Sequence, residues 1–299
     1  MTIQVEILQF LHYNPSSSRV EISAGLTEAP NERTLKRIIA ELVQNGDVIV
    51  EGKGKATRYS LSAQAHLMMS LNIDTYFVKD IDERKVQESF NFQLIQDVLP
   101  RVTLFTPEEK IRLESAHKEF LANMETLSDL EYRKEMERLG VDLSWKSSQI
   151  EGNTYSLLET ERLLKEKQTA QGKTKEEAVM LLNHKDALDF ILDNPDYLKE
   201  LSVRRLEDIH SILTKELGVG NGIRKRRVGI TGTNYRPLDN EFQIREALED
   251  TCQLINGKEN VFEKALLILV LLSYIQAFTD GNKRTARISS HAVVIAWGY

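Results

Sequence analysis

The chain has 299 residues, a formal net charge of −6 at pH 7 and a single cysteine. This length allows one domain or a few modules, with enough residues to bury a core. The negative charge argues against indiscriminate nucleic-acid binding by the whole chain, and one cysteine excludes a disulfide framework and a cysteine-based zinc site. The first residues lack the basic region of a signal peptide, and the longest apolar run, 265–272, is far shorter than a membrane span. We therefore expect a cytoplasmic protein that does not enter a membrane.

The first 62 residues predict three short helices followed by a β-hairpin. Apolar residues recur at helical spacing over 3–11, over 19–26 and over a third segment that Asn31 or Thr34 caps and that ends at 45. The runs 48–50 and 58–61 flank the basic loop 52–55 and predict the two strands. This order of elements resembles a winged helix-turn-helix domain, whose usual partner is duplex DNA.

The basic residues considered for DNA contact fall on the third helix and on the hairpin. The resemblance implies that the helix presents three of them to DNA and that the hairpin presents the others to the phosphates. They are Arg33, Lys36, Arg37, Lys53, Lys55 and Arg58. Acidic residues are as numerous as basic ones over 1–62, so only one face of the module is basic. A winged helix used for protein contact or for a homodimer is the alternative.

The rest of the chain predicts a mainly α-helical protein, because its apolar residues recur at helical spacing and glycine and proline are sparse. Within the linker 63–140, Thr106 caps a helix over 107–127 and Gly140 ends a helix over 130–139. Further helices are expected from about 156, at 175–192 after a cap at Thr174, and at 202–217, 241–254 and 261–274.

The most informative stretch is 277–287, which joins the last apolar helix to another amphipathic segment. A turn that opens a helix presents unpaired backbone N–H groups and the positive end of the helix dipole, so it suits an anion such as phosphate. Arg284 and Arg287 lie three positions apart on the outgoing helix and can donate to phosphate oxygens. Asp280 precedes the turn and can hold a Mg²⁺ that bridges two phosphates. An ordinary helical corner with surface arginines is the alternative.

This stretch resembles the Fic family motif, His-Pro-Phe-x-Asp/Glu-Gly-Asn-x-Arg-x-x-Arg. Members of that family transfer part of a nucleotide, usually AMP from ATP, to a protein hydroxyl. Gln276 stands at the position of the catalytic histidine and Ala277 at the position of the proline. A glutamine amide cannot accept the proton of an attacking hydroxyl, and none of the six histidines lies where it could obviously replace the base. Lys283 replaces a common glycine, as in the Doc branch, whose members transfer a phosphoryl group.

The resemblance assigns a role to each matching residue. It implies that Asp280 and Asn282 act in catalysis beside position 276, and that Asp280 binds Mg²⁺. The residues implied to bind ATP are Phe278, Gly281, Asn282, Lys283, Arg284 and Arg287. The implied partner is a protein substrate, which can be a second copy of the chain or the chain itself.

A second stretch, 147–153, resembles the inhibitory helix motif Ser/Thr-x-x-x-Glu-Gly/Asn of Fic proteins. Ser147 and Glu151 lie four positions apart on one helix face, and Gly152 ends the helix. In the subclass with an N-terminal inhibitory helix, the glutamate pairs with the second arginine of the motif, here Arg287, and occupies space that the γ-phosphate of ATP needs. The resemblance therefore implies autoinhibition by Glu151. An ordinary helix C-terminus is the alternative.

The Gly-rich basic segment 218–238 predicts a small hairpin with strands at 228–231 and 235–238. The segment resembles the Fic flap, which lies over the active site and pairs with the target in β-fashion. The implied substrate-contacting residues are Ile230, Thr231, Gly232 and Thr233. A solvated basic loop is the alternative, and the run 224–227 could also meet an acidic partner.

Together these patterns predict a winged helix over 1–62, a helical linker over 63–140 and a Fic-type helical core with a small β-hairpin flap over 141–299. The implied function is AMP transfer from ATP to a protein hydroxyl, autoinhibited by Glu151 and impaired by Gln276. One alternative is a catalytically weak nucleotide-binding protein that regulates transcription through its DNA-binding domain. The other is a Doc-like phosphotransferase.

Overall fold

The computed structural model describes residues 2–70, 73–84 and 87–299. Contacts between residues divide the chain into two compact units. The first unit comprises 1–79 and 101–104, and the second comprises 80–100 and 105–299. Each unit contains a hydrophobic cluster of its own.

The first unit contains helices and one antiparallel hairpin. Its elements are α1 (Ile3–Tyr13), α2 (Arg19–Gly25), α3 (Glu32–Gln44), β1 (Val48–Glu51), β2 (Arg58–Leu61), α4 (Ala63–Met68) and α5 (Ile73–Val78). The side chains of Thr2, Ser18 and Asn31 begin the first three helices by accepting a hydrogen bond from a backbone N–H of the first turn. In the hairpin, Val48 lies opposite Leu61. The predicted order of three helices and a hairpin is therefore confirmed.

The core of the first unit is built around the apolar face of α3. That face consists of Leu35, Ile38, Ile39 and Leu42, all of which are buried. It packs in one cluster with buried residues of α1, α2 and β1. A helix of this length is marginal in isolation, so burial of this face supplies most of its stability.

The second unit consists mainly of α-helices joined by loops. Its α-helices are α6 (Pro107–Glu125), α7 (Asp129–Ile150), α8 (Leu157–Glu166), α9 (Lys175–Asp193), α10 (Val203–Thr214), α11 (Glu241–Gly257), α12 (Val261–Ile275) and α13 (Asn282–Ala296). Short 3₁₀ or π-helical turns lie at Gly54–Ala56, Ile81–Glu83, Leu94–Val98, Leu99–Arg101 and Pro195–Leu198 along the chain. Thr106, Ser128, Ser156 and Thr174 each form a capping box with a glutamate three residues later. Across the described ranges, no helix is both long and apolar enough to cross a membrane.

The helix α13 lies at the centre of the second unit. It packs against α7, α9, α10 and α12, and its residues Ile288, Ala292 and Val293 are buried. The helix α12 is apolar around most of its circumference, and nine of its residues between Val261 and Ile275 are buried. The turn that joins α12 to α13 is thus held between two elements of the core. The predicted mainly α fold is confirmed.

The predicted end of a helix at Gly140 is wrong. The helix α7 continues through this residue to Ile150, and Gly140 is buried. A Cβ atom at this position would lie 3.4 Å from Cε of Lys185 on α9, an ordinary contact with the end of a flexible side chain. A glycine inside a helix is tolerated at a modest cost, so this residue by itself does not mark a helix end.

The predicted hairpin over 228–238 is also wrong, because this segment is an irregular loop without strands. Its backbone bonds to another part of the second unit. The N–H of Arg236 donates to the carbonyl of Glu88 at 2.6 Å, and Arg236 forms an isolated parallel bridge with Ser89. Pro237 has no N–H to donate within the predicted second strand. The loop therefore pairs with residues 88–89 and not with itself.

We expect Leu35→Ala to destabilise the first unit by about 2–5 kcal/mol, because the change removes a packed side chain and leaves a cavity. Leu35 is 2% exposed. The measurement is denaturant unfolding, with hydrogen exchange to assign the loss to the first unit. Val20→Ala on α2 is the matched control, because Val20 is 76% exposed and its truncation should change stability by less than about 0.5 kcal/mol. Equal effects in the two variants would contradict the packing of α3.

Candidate functional site

The turn between α12 and α13 contains two residues with left-handed backbone conformations. Gln276 ends α12 with φ of 53°, and Gly281 precedes α13 with φ of 79°. A Cβ atom on Gly281 would lie 3.1 Å from Cγ2 of Thr214 and 3.5 Å from Cδ2 of His210. Only glycine combines this conformation with such a close approach. The turn therefore directs the N-terminus of α13 against the end of α10.

The side chain of Asn282 fixes the backbone of the turn. Its Oδ1 accepts from the N–H of Phe278 at 2.8 Å, and its Nδ2 donates to the carbonyl of Phe278 at 2.7 Å. Asn282 is buried, and Thr285 Oγ1 adds a bond of 2.9 Å to the carbonyl of Gly281. Because both polar atoms of the amide bind the turn, Asn282 shapes the site directly. Its catalytic role stays a prediction.

Phe278 and His210 form the floor of the turn. The two rings stack with centroids 3.9 Å apart and planes 11° apart, and Phe278 is fully buried. The Nε2 atom of His210 lies 3.0 Å from the carbonyl oxygen of Asp280, which can only accept, so Nε2 carries the proton. Burial lowers the pKa of His210, so the ring is neutral at pH 7. Sequence reasoning did not connect this histidine with the motif.

Arg224 joins the loop 218–238 to the turn, and it was not predicted as a site residue. Its side chain is buried, and the guanidinium donates to the carbonyls of Gln276 at 2.6 Å, of Arg226 at 2.8 Å and of Leu238. Its own N–H donates to the carbonyl of Ala277 at 3.0 Å. The alternative interpretation of the segment 218–238, a solvated basic loop, does not hold for this residue. Its neighbour Arg227 is exposed and pairs with Asp239 at 2.7 Å.

Gln276 is partly buried, and its side chain is bonded back to the preceding helix. The Nε2 atom donates to the carbonyl of Ser273 at 2.6 Å. A neutral amide in this arrangement has no basic atom for a proton, so it cannot act as a general base. The left-handed backbone at this position is accessible to histidine as well as to glutamine. The backbone here therefore does not exclude the histidine that the family motif carries.

Arg284 lies beneath the turn and is 1% exposed. It donates to the carbonyl of Leu213 at the end of α10 and to Oδ2 of Asp280, each at 3.3 Å. Its Nε atom has no hydrogen-bond partner among the described residues. Burial lowers the pKa of this guanidinium, although it stays charged. A buried cation with an unused donor is a chemical fit for an anionic group.

Asp280 and Lys283 are the exposed members of the turn. The carboxylate of Asp280 is 63% exposed and accepts from the N–H of Gly281 at 2.6 Å. Lys283 lies on the first turn of α13 and is exposed. Asp280 is thus a carboxylate held beside a helix N-terminus, with most of its surface open to solvent.

Arg287 and Glu151 form an ion pair between α13 and the end of α7. Arg287 Nη2 lies 2.8 Å from Oε1 of Glu151, and the two side chains are 20% and 22% exposed. Arg287 also donates to Oγ of Ser147 at 2.8 Å and to its carbonyl at 3.0 Å. The structure therefore brings together the two stretches that the sequence singled out.

Two neutral histidines, the buried His184 and the partly buried His291, lie near this ion pair. Ser144 on α7 donates its hydroxyl to the carbonyl of Gly140, so the bond of 3.2 Å to His184 requires Nδ1–H of His184 to be the donor. Burial, together with the charge of Arg287, lowers the pKa of His184 to about 3. Burial and Arg287 also lower the pKa of His291. Neither ring adds positive charge beside Arg287 at neutral pH.

The other predicted site residues lie outside this cluster. Ile230, Thr231, Gly232 and Thr233 lie on the irregular loop, where Thr233 Oγ1 accepts from the N–H of Tyr235 at 3.2 Å. In the first unit, five of the six predicted DNA contacts are exposed, and Arg58 is half-buried. Arg37 is paired with Glu41, and Arg58 donates to the carbonyl of Thr57. The basic residues of α3 and the hairpin are thus at the surface of their unit.

Known proteins share this fold and part of this sequence. Residues 200–294 match the sequence model of the Fic/DOC family. The chain is similar to protein adenylyltransferase fic-1 of Caenorhabditis elegans, with 28% identity over 158 residues, 50% of this chain and 30% of the relative. It is also similar to protein adenylyltransferase Fic of Nematostella vectensis, with 28% identity over 163 residues, 52% of this chain and 37% of the relative. The chain spans about a third of the length of these relatives.

Two solved structures show the likeness of fold. Fic-1 of Caenorhabditis elegans aligns with a TM-score of 0.56 and 18% identity, covering 100% of this chain and 85% of that chain. A Fic domain containing signaling protein of Bacteroides thetaiotaomicron aligns with a TM-score of 0.54 and 20% identity, covering 63% of this chain and 72% of that chain. The helical fold around α12 and α13 is therefore that of Fic proteins. The chain contains a Fic/DOC family domain, which the match places at residues 200–294.

Proposed function

We propose that this protein is a Fic-type adenylyltransferase, which transfers AMP from ATP to a protein hydroxyl and is held inactive by Glu151. The single observation that carries the proposal is the ion pair of 2.8 Å between Glu151 and Arg287, the last residue of the motif. The relatives named protein adenylyltransferase support it. The chain covers 30% and 37% of the length of these two relatives.

The residues of the turn fit a nucleotide triphosphate. The N-terminus of α13 offers backbone N–H groups, and Arg284 offers a buried cation with a donor unused among the described residues. The described residues contain no group of three or more His, Cys, Asp or Glu side chains that could hold a metal ion. Asp280 alone would therefore bind Mg²⁺ together with phosphate oxygens, as is usual for this ion. Mg²⁺ bound there supplies charge neutralisation of the phosphates.

The proposed reaction proceeds without the family's general base. The acceptor hydroxyl attacks the α-phosphorus of ATP and pyrophosphate leaves. The hydroxyl proton goes to solvent, because the amide of Gln276 accepts none. A positioned base typically contributes about 10²–10⁴-fold, and positioning of the phosphates supplies much of the remaining acceleration. We therefore propose slow transfer. The transfer of a phosphoryl group, suggested by Lys283, is the alternative reaction at the same site.

The first unit favours a second function, binding of duplex DNA by a winged helix. The observation is the exposure of Arg33, Lys36 and Arg37 on α3 together with Lys53 and Lys55 on the hairpin. Such residues bind DNA by contacts to phosphates and base edges. A protein that joins the two functions would regulate transcription in response to nucleotide, and a homodimer would match a palindromic site.

We expect Glu151→Gln to raise the affinity for ATP, because it removes a negative charge that competes with the phosphates for Arg287. Two unit charges about 4 Å apart interact by roughly 4 kcal/mol at an effective dielectric constant of 20, and solvent screening reduces this to an increase of about tenfold or more. The measurement is calorimetric titration of ATP with Mg²⁺. Glu161→Gln is the matched control, because Glu161 pairs with Lys165 on the surface of α8 and should not change the affinity. Equal effects of both changes would remove Glu151 from the site.

We expect Gln276→His and Glu151→Gly to act together on transfer. The first restores a base worth about 10²–10⁴-fold, and the second lets ATP bind productively, so each alone should do less than the pair. The measurement is incorporation of label from ATP with labelled α-phosphate into protein by the four members of the cycle. ATP labelled in the γ-phosphate distinguishes AMP transfer from phosphoryl transfer.

The cycle also tests the alignment of the motif. If Gln276→His adds nothing when Glu151 is Gly, position 276 does not face the acceptor and the assignment of the motif fails. Label from the γ-phosphate alone would instead favour the Doc-like reaction.

We expect DNA binding by the first unit to weaken steeply as salt rises, because phosphate contacts release counterions. Lys53→Glu with Lys55→Glu should lower the affinity at low salt and reduce the slope of log K against log salt. Electrophoretic mobility shift at several salt concentrations measures both. The matched control is Lys118→Glu with Lys134→Glu on α6 and α7 of the second unit. This control variant has the same net charge as the variant with both changes on the hairpin. Equal loss in both double variants, or no binding by the unchanged protein, would favour a protein-contact role.

A further inference from the structure

The irregular loop beside the site is covered by another segment of the second unit. We name residues 87–91 the strap. The N–H of Arg236 donates to the carbonyl of Glu88 at 2.6 Å, and Arg236 pairs with Ser89 as a parallel β-bridge. The guanidinium of Arg236 lies 3.4 Å from the carboxylate of Glu88. The strap is therefore bound to the loop by main-chain pairing and by an ion pair.

The strap also binds the helix that leads into the turn. The ring of Phe90 stacks on Tyr274 of α12 with centroids 4.8 Å apart, and the N–H of Asn91 donates to the hydroxyl of Tyr274 at 2.9 Å. Tyr235 of the loop stacks on Tyr274 with centroids 4.9 Å apart and donates its hydroxyl to the carbonyl of Tyr274 at 2.9 Å. Tyr274 stands two residues before Gln276. The strap thus ends against the same helix terminus that forms the site.

We infer that the strap is an intramolecular pseudosubstrate. It contacts Arg236 and Tyr274, so it occupies the loop that the family resemblance implies to be the target-binding flap. The strap shows which chemistry this surface takes. An acidic side chain meets Arg236, the next residue pairs with the loop, and an aromatic ring follows on Tyr274. In the strap these residues are Glu88, Ser89 and Phe90, and the middle one carries a hydroxyl. Identifying that hydroxyl position as the acceptor of AMP rests on the proposed function.

The contacts of the strap are weak enough for a peptide to displace it. The ion pair is exposed, with side-chain exposures of 81% and 56%, so it contributes little. Aromatic stacking and a short main-chain pairing contribute moderately. The tethered strap nevertheless excludes a weakly bound free peptide, because a short tether gives it an effective concentration of about millimolar. The strap therefore selects for partners that bind more tightly than it does.

The test is binding of a fluorescent peptide with the sequence of residues 87–92, Gln-Glu-Ser-Phe-Asn-Phe, to the full chain without ATP. The unchanged protein should bind it weakly or not at all. A released protein, Glu88→Lys with Phe90→Ala, should bind it at least about tenfold more tightly, because the tethered competitor is gone. Replacing the first phenylalanine of the peptide by alanine should cost about tenfold, the worth of a stacked aromatic residue. Circular dichroism and the melting temperature establish that the released protein is folded.

A charge reversal separates recognition from a merely structural role. In the released protein, Arg236→Glu should weaken the peptide several-fold, and a peptide with lysine in place of the glutamate should regain that loss. As a second measurement, amide exchange over 228–238 should quicken in the released protein and slow again when the peptide is added.

Three results would overturn the inference: no peptide binding to the folded released protein, equal binding of peptides without the acidic or the aromatic residue, or unchanged amide exchange over 228–238. Because peptide binding is measured without ATP, each of these three results is independent of the proposed function. Peptide binding without transfer of AMP to any protein would refute the proposed function alone, and transfer without peptide binding would refute the pseudosubstrate alone.

Discussion

The guanidinium of Arg224 is the contact on which the shape of the candidate site depends. A buried cation is costly unless its donors are bonded, and here backbone carbonyls of residues 226, 238 and 276 accept from it. Those carbonyls belong to both ends of the loop and to the turn. Gln276 has a left-handed backbone, which costs a residue other than glycine roughly 1 kcal/mol or more. The bond from Arg224 to its carbonyl offsets that cost, so one side chain holds the loop and the turn together.

The same principle governs the other arginines of the site. Arg284 is buried among a carbonyl and a carboxylate, whereas Arg287 is partly exposed and bonded to α7. The two residues are three positions apart, yet they bind different helices. Arg284 therefore belongs to the fixed frame of the turn. Under the proposed function, Arg287 is the cation whose partner is exchanged, because a phosphate would replace the carboxylate of Glu151 without leaving either charge buried and unpaired.

Much of the secondary structure could be predicted from local sequence patterns. Caps at Thr106 and Thr174 and the apolar face of α3 follow from patterns within a few residues, and the structure has them. The pairing of Glu151 with Arg287 came from a family resemblance and agrees with the geometry.

Other features depend on contacts that sequence patterns do not contain. Arg224 stands in a run of four basic residues, and only the fold decides that this one is buried while Arg226 and Arg227 are exposed. Gly140 has the local sequence of a helix end, but α7 continues through it to Ile150. The loop 228–238 lacks its predicted partner strand because residues far away in the sequence pair with it.

The two proposed restraints act on different parts of the site and share no residue. Glu151 competes for the cation that a nucleotide needs, whereas the strap competes for the surface that a peptide needs. Free energies of distant sites without common partners add, so their effects on the rate multiply. A site restrained in both ways stays inactive when only nucleotide or only a weak partner is present. Relief of one restraint leaves the rate reduced by the other. A partner that displaces the strap would also free the contacts to Tyr274, at the end of α12 from which Gln276 projects. Selection of the target peptide and control of nucleotide binding then act separately on the site at the turn between α12 and α13.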